Sequence, residues 1–154
     1  MNKRRLIALV SAVLMLTVVF AGCKSEDKNV IKIGGLAPLT GEVAQYGEAV
    51  INAVKLAIEE INKDGGILGK QIKFICYDEK GDATEALNAY NRLVDEGIVA
   101  LVGDVTSKPT KAVAQKAVED NMPMITPSAT EESITQNGEN VFRTCFIDPY
   151  QGGL

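Results

Sequence analysis

From residue 30 onward the chain alternates short apolar runs with amphipathic stretches of helical period, and that alternation leaves few folds open to it. Residues 30–33, 71–77, 98–102 and 123–126 each have strand length, and 141–144 is a last extended run. Between the first two lies a helical pattern in which Tyr46, Val50, Ala53, Val54, Ala57, Ile58 and Ile61 recur on one side, stopped by Gly65-Gly66. Asp82, with Glu85 three residues on, opens a second helix in the acidic form of a capping box. Its stripe is Ala86, Leu87, Tyr90, Leu93 and Val94, and Gly97 ends it. Ser107 is the expected N-cap of a third helix, with Pro109 in the first turn and Val113, Ala114, Ala117 and Val118 facing inward. Gly34-Gly35 is expected to turn the chain out of the first strand. The order β-α-β-α-β-α-β and then β predicts an α/β fold: an open parallel sheet with helices on both faces. Ligands of such sheets sit beyond the carboxyl ends of the strands, here the loops 34–46, 103–107 and 126–130.

The amino terminus follows other rules. Lys3, Arg4 and Arg5 precede an uncharged apolar run over 6–20, shorter than the roughly 20 residues a bilayer span needs, and then Ala21 and Gly22. This is the pattern of an export signal over 1–22. Phe20-Ala21-Gly22-Cys23 resembles a bacterial lipobox, with Phe20 where leucine is usual, so Cys23 is the expected lipidation site and new amino terminus. Residues 23–29 read as a polar tether, and 30–154 as the folded segment, long enough for one compact domain.

Composition narrows the chemistry. With 16 basic and 20 acidic residues the net charge is −4, and loss of the three amino-terminal cations makes it more acidic, a poor match to nucleic acid. There is no histidine, which removes imidazole as base or ligand. Cys76 and Cys145 lack metal or redox spacing and read as small buried apolar residues, the alternative being a disulfide in an oxidising compartment. The glycines over 34–41 do not have dinucleotide spacing, and no phosphate loop or nucleophile elbow occurs. No catalytic set, metal site or cofactor is therefore expected.

Two hydroxyl-rich loops, Val105-Thr106-Ser107 and Ser128-Ala129-Thr130, each follow a strand and lead into a helix. Free N–H groups at two converging helix starts, completed by hydroxyls, would hold a carboxylate without any arginine. The competing reading is that Ser107 and Thr130 merely cap their helices.

Several blocks carry a resemblance. Residues 33–41 (IGGLAPLTG), 44–47 (AQYG), 61–69 (INKDGGILG), 77–78 (YD), 102–110 (VGDVTSKPT), 124–130 (MITPSAT) and 142–144 (FRT), in that order, resemble the Leu/Ile/Val-binding proteins of branched-chain amino-acid ABC transporters. These are type I periplasmic binding proteins, whose two α/β lobes close on the ligand. The resemblance implies an extracytoplasmic solute-binding lipoprotein, not an enzyme, that captures a branched-chain or similar amino acid for permease subunits of an ABC transporter. It would be exported and lipid-anchored on the outer face of the cytoplasmic membrane, or periplasmic. An amino-acid- or amide-sensing receptor domain of the same fold is the alternative. By resemblance Ser107 would bind the α-carboxylate with backbone help near Val105 and Thr106. Ser128 would accept the α-ammonium through its carbonyl, Thr130 would contact both groups and Tyr46 would line the wall, with Ala129 in the same binding loop. Several relatives bridge the loop after the second strand to the carboxylate loop by a disulfide, but the matching positions here are Gly81, or a near neighbour, and Thr106, so that bridge is not expected. The expectation is a first lobe, incomplete, with the second lobe missing beyond Leu154.

Overall fold

The structure is a computed structural model and describes residues 29–153; the expected signal, Cys23 and nearly all of the tether lie outside the described residues. Five strands form one sheet: β1 (Val30–Ala37), β2 (Gln71–Asp78), β3 (Ala100–Val102), β4 (Met124–Thr126) and β5 (Val141–Arg143). Their order is β2-β1-β3-β4-β5 and every neighbouring pair is parallel. Helices α1 (Ala44–Lys63), α2 (Ala83–Asp95) and α3 (Ser107–Glu119) make the crossovers, followed by a 3₁₀ turn at Glu132–Gln136 and a terminal turn α4 (Asp148–Gly152). The expected open parallel α/β sheet is thus the observed one.

The chain winds from β1 to β2 in one direction and then returns past β1 to β3, so its helices fall on opposite faces. Side chains of β2 alternate accordingly. Ile75 and Tyr77 pack into the larger core with Leu36, Tyr90, Leu93, Leu101, Val113 and Met124, beneath α2 and α3. Phe74 and Cys76 point to the smaller core with Ala37, Ile51 and Val105, beneath α1.

The glycine pair does not turn the chain. β1 runs straight through Gly34 and Gly35 to Ala37, in register with Ile75 and Cys76 of β2. The reason is space. A Cβ on Gly34 would stand 2.7 Å from Ile98 Cδ1, and one on Gly35 would stand 2.4 Å from Phe74 Cζ. Large side chains from both layers close over the middle strand, and only glycine leaves them room.

α1 also departs from expectation. Gly47 and Ile51 are its buried residues, Val50, Val54 and Ile58 are half-buried, and Tyr46, Ala53, Ala57 and Ile61 are exposed. The helix lies over the β1–β2 half of the sheet only, and Asn62 fastens its end by accepting from Ile72 N–H (2.7 Å) and donating to Ile72 O (2.8 Å).

Asp82 caps α2 as expected, accepting from Thr84 N–H (2.8 Å) and Glu85 N–H (3.0 Å). Glu85 pairs with Lys80 (3.6 Å). Neither expected hydroxyl cap forms. The N-cap of α3 is Thr106, with Ser107 the first helical residue, and the 3₁₀ turn begins after Glu131, not Thr130. β3 is shorter than the apolar run because Ile98 N–H donates to Leu93 O and closes the end of α2. Cys76 and Cys145 are both free thiols, and burial pushes the Cys76 thiol up to about 11.

Candidate functional site

β1 and β3 are neighbours whose crossovers leave in opposite directions, which opens a crevice at their carboxyl ends. Val43, Tyr46, Val105, Thr106, Ser107, Ser128 and Thr130 line a cavity of about 290 Å³ there. Six of the seven sequence-predicted binding residues therefore meet in one cleft. Ala129 is the exception: it is 1% exposed, its side chain lies in the main core, and its N–H donates to Thr126 Oγ1 (3.2 Å). Val43, just before α1, was not singled out by the sequence, since nothing local separates it from an ordinary apolar residue.

The hydrogen bonds already made define what the cleft has left to offer. Ser107 Oγ accepts from Glu131 N–H (3.3 Å), so its own proton stays free to donate. The first bond of α3 runs from Thr110 N–H to Thr106 O (3.1 Å), which leaves the N–H groups of Ser107 and Lys108 ahead of it without an intrahelical acceptor. Val105 offers less than expected. Its N–H is taken by Asp104 Oδ1 (2.5 Å) and its carbonyl accepts from Ser128 Oγ (2.7 Å). Of the backbone groups expected to help near Val105 and Thr106, the Thr106 N–H, which has no acceptor among the described residues, stays available beside the start of α3. With its hydroxyl committed to Val105, Ser128 presents its carbonyl, on which no donor sits among the described residues, and the Thr130 hydroxyl has no hydrogen-bond partner among them.

Among the described residues no charged side chain lines the cleft. Its floor is fixed from behind. Thr126 Oγ1 donates to Asp104 O (2.6 Å), and Thr110, fully buried, donates its hydroxyl to Thr106 O (2.6 Å). Arg143 staples the loop that carries Ser128 and Thr130: its guanidinium donates to the carbonyls of Ala129 (3.0 Å), Glu131 (2.9 Å) and Glu132 (3.0 Å) and to Thr135 Oγ1 (2.9 Å). Outside the cleft, at the end of β2, Asp78 accepts from Leu39 N–H (2.8 Å) and Thr40 Oγ1 (2.6 Å). Burial pushes the Asp78 carboxyl up, but Thr40 and the N–H groups of Leu39 and Lys80 outweigh it and hold the group below its ordinary range.

Behind the cleft lies a pair of carboxyls. Glu79 and Asp104 are both fully buried and within hydrogen-bonding reach of each other. Both oxygens of Glu79 and Oδ2 of Asp104 lack a donor when the two groups are taken as ionised. Burial raises both groups above the carboxylate range; Glu79 raises Asp104 further, while the nearby N–H groups of Gly81 and Asp82 and the contact with Asp104 bring Glu79 part of the way back, to about 7.

Comparison with known proteins agrees with this architecture. A family model described as periplasmic binding protein matches residues 30–153. The Leu/Ile/Val-binding protein BraC3 of Rhizobium johnstonii is 40% identical over 142 residues, which is 92% of this chain and 38% of the relative. The leucine-, isoleucine-, valine-, threonine-, and alanine-binding protein of Pseudomonas aeruginosa is 39% identical over 129 residues, covering 83% of this chain and 35% of that protein. Among solved structures, the branched-chain amino acid transporter substrate-binding protein LivJ of Streptococcus pneumoniae, in complex with isoleucine, superposes with a TM-score of 0.75 at 38% identity. That match covers 77% of this chain and 34% of the other. The chain spans little more than a third of the length of these relatives. With the sheet order, the switch-point cleft and a family match over nearly all described residues, this chain belongs to the periplasmic binding protein family.

Proposed function

We propose that the whole protein is an extracytoplasmic solute-binding protein that captures an α-amino acid, of branched-chain or similar type, and delivers it to the permease of an ABC transporter. The observation that carries this reading is the unspent set of groups in the cleft. The Ser107 hydroxyl proton and the α3 N–H groups suit a carboxylate, while the Ser128 carbonyl and the Thr130 hydroxyl suit an ammonium beside it. Such a half-site complements a zwitterion, and it holds no nucleophile or base that would do bond chemistry. The amino acids named for the Rhizobium, Pseudomonas and Streptococcus relatives support it. Export through residues 1–22 and lipid anchoring at Cys23 belong to the same proposal and rest on the sequence pattern.

The test is calorimetric binding to the full-length protein of leucine, isoleucine, valine, alanine and, as a carboxylate without an ammonium, benzoate. Ser107→Ala removes a donor to a charged acceptor, an interaction worth about 1.5–3 kcal/mol, or roughly tenfold to a hundredfold in affinity. Thr110 is not a neutral control, because its buried hydroxyl holds the Thr106 carbonyl. Gln115, exposed on the same helix, is the better one, and Gln115→Ala is expected to bind like the parent. Retention of full affinity by Ser107→Ala, with its melting curve unchanged, would sink the assignment.

A further inference from the structure

The buried pair behind the cleft joins two loops that the sheet itself keeps apart. Glu79 follows β2, Asp104 follows β3, and β1 lies between those strands. Asp104 is bonded directly to the binding loop: its side chain takes the Val105 N–H and its carbonyl accepts from Thr126, while Ser128 holds the Val105 carbonyl. Any movement of the Asp104 carboxyl is therefore a movement of Val105 and of the start of α3. With both carboxyls ionised, three buried oxygens would lack a donor and two negative charges would face each other. One proton between them supplies the missing donor and removes one charge.

We infer that Glu79 and Asp104 share a single proton, and that this proton positions the Asp104–Ser107 segment for carboxylate binding, so that its loss at alkaline pH loosens the cleft. The pair acts through Val105 and Ser107 and touches no ligand itself.

Among the described residues no cation pairs with either carboxyl, and the only other groups that favour the charged form of Glu79 are the N–H groups of Gly81 and Asp82. From the loop after β2, Lys80 is paired with Glu85 and the Asp82 carboxylate is bonded to its own helix start. From α3, Lys108 acts on Asp82, and from α1, Lys55 acts on Cys76. Asp78, beside Glu79, adds further negative charge, and the Cys76 thiol, also raised, stays protonated through neutral pH. Thr126, from β4, is uncharged and donates to the Asp104 carbonyl.

The sign follows from proton counting. The folded protein holds a proton that the unfolded chain releases in the ordinary carboxylate range, so stability falls as pH rises from that range toward the raised folded range, about 7 for Glu79 with Asp104 also well above its ordinary value. Above that the cost is fully present. Glu79→Gln keeps the shape, donates an N–H to Asp104 and has nothing to ionise; Asp104→Asn does the same from the other side while still accepting from Val105.

Because this inference rests on the proposed amino-acid site, two readouts are taken on the full-length protein between about pH 5.5 and pH 8.5: melting temperature, and leucine or isoleucine affinity. The parent is expected to lose melting temperature and about tenfold in affinity as pH rises, while Glu79→Gln and Asp104→Asn are expected to be flat within about twofold. Parallel pH profiles for parent and amide variants, or a parent flat in both readouts, would overturn the shared proton. A melting temperature that falls with pH while affinity stays constant would confine the pair to stability and overturn its positioning role. Absence of binding at every pH would instead refute the amino-acid site, with the melting profile still deciding the proton.

Discussion

Arg143 shows how much of a cleft can depend on a residue that does not line it. In the sequence it is an isolated cation in a short strand, with no spacing that marks it. In the fold its guanidinium meets three carbonyls and a hydroxyl of the loop carrying Ser128 and Thr130, a use of planar, forked donors that lysine cannot copy. Arg143→Met keeps the aliphatic stem and removes the donors. The expected result is a loss of about 1–3 kcal/mol in a denaturant melt, together with weaker amino-acid binding because the Ser128 carbonyl is no longer fixed. Arg143→Lys should recover less than half of either. If the melt and the binding isotherm of Arg143→Met both match the parent, the staple is decorative. Glu79 and Asp104 escaped sequence reading for a related reason. They stand 25 positions apart, and only the strand order brings them together over the end of β1.

Among elements, those governed by local rules were legible and those governed by crowding were not. Period and length located all five strands and three main helices to within a few residues, and Asp82 capped the helix it was expected to cap. Local rules failed at Gly34 and Gly35, where a pair that usually signals a turn instead lets α2, Ile98 and Phe74 close on the middle strand. They failed again at Ser107 and Thr130, which have the composition of caps but cap no helix. The hydroxyls left over by that failure are the ones the cleft presents. Crowding at β1 is testable. Gly34→Ala should cost about 1–3 kcal/mol, as overpacked cores do, and Ile98→Val in the same chain should return part of it. Additive losses in the double variant would mean that the two side chains do not compete for one space.

At the scale of the molecule, the sheet places the cleft at the carboxyl ends of its inner strands and the covered faces elsewhere, so the site can be presented to a ligand without opening the core. Among the described residues no helix is long and apolar enough to cross a membrane. In the proposed function, attachment to a membrane is assigned to a lipid on Cys23 on the sequence pattern alone. Replacing that residue, Cys23→Ser, is expected to shift the protein from the membrane fraction to the soluble fraction or to leave an uncleaved precursor; unchanged fractionation would rule out anchoring there. The cleft itself has a further property that follows from its lining. In the proposed function it would meet a charged group with hydroxyls and backbone N–H groups and, among the described residues, no fixed ionic side chain, so the attraction would be short-ranged and carried by dipoles. Dissolved ions weaken contacts between full charges over a Debye length that shrinks from about 30 Å at 0.01 M salt to about 3 Å at 1 M, but they find little to screen here. This half of the site should hold its ligand almost equally well in fresh water and in brine.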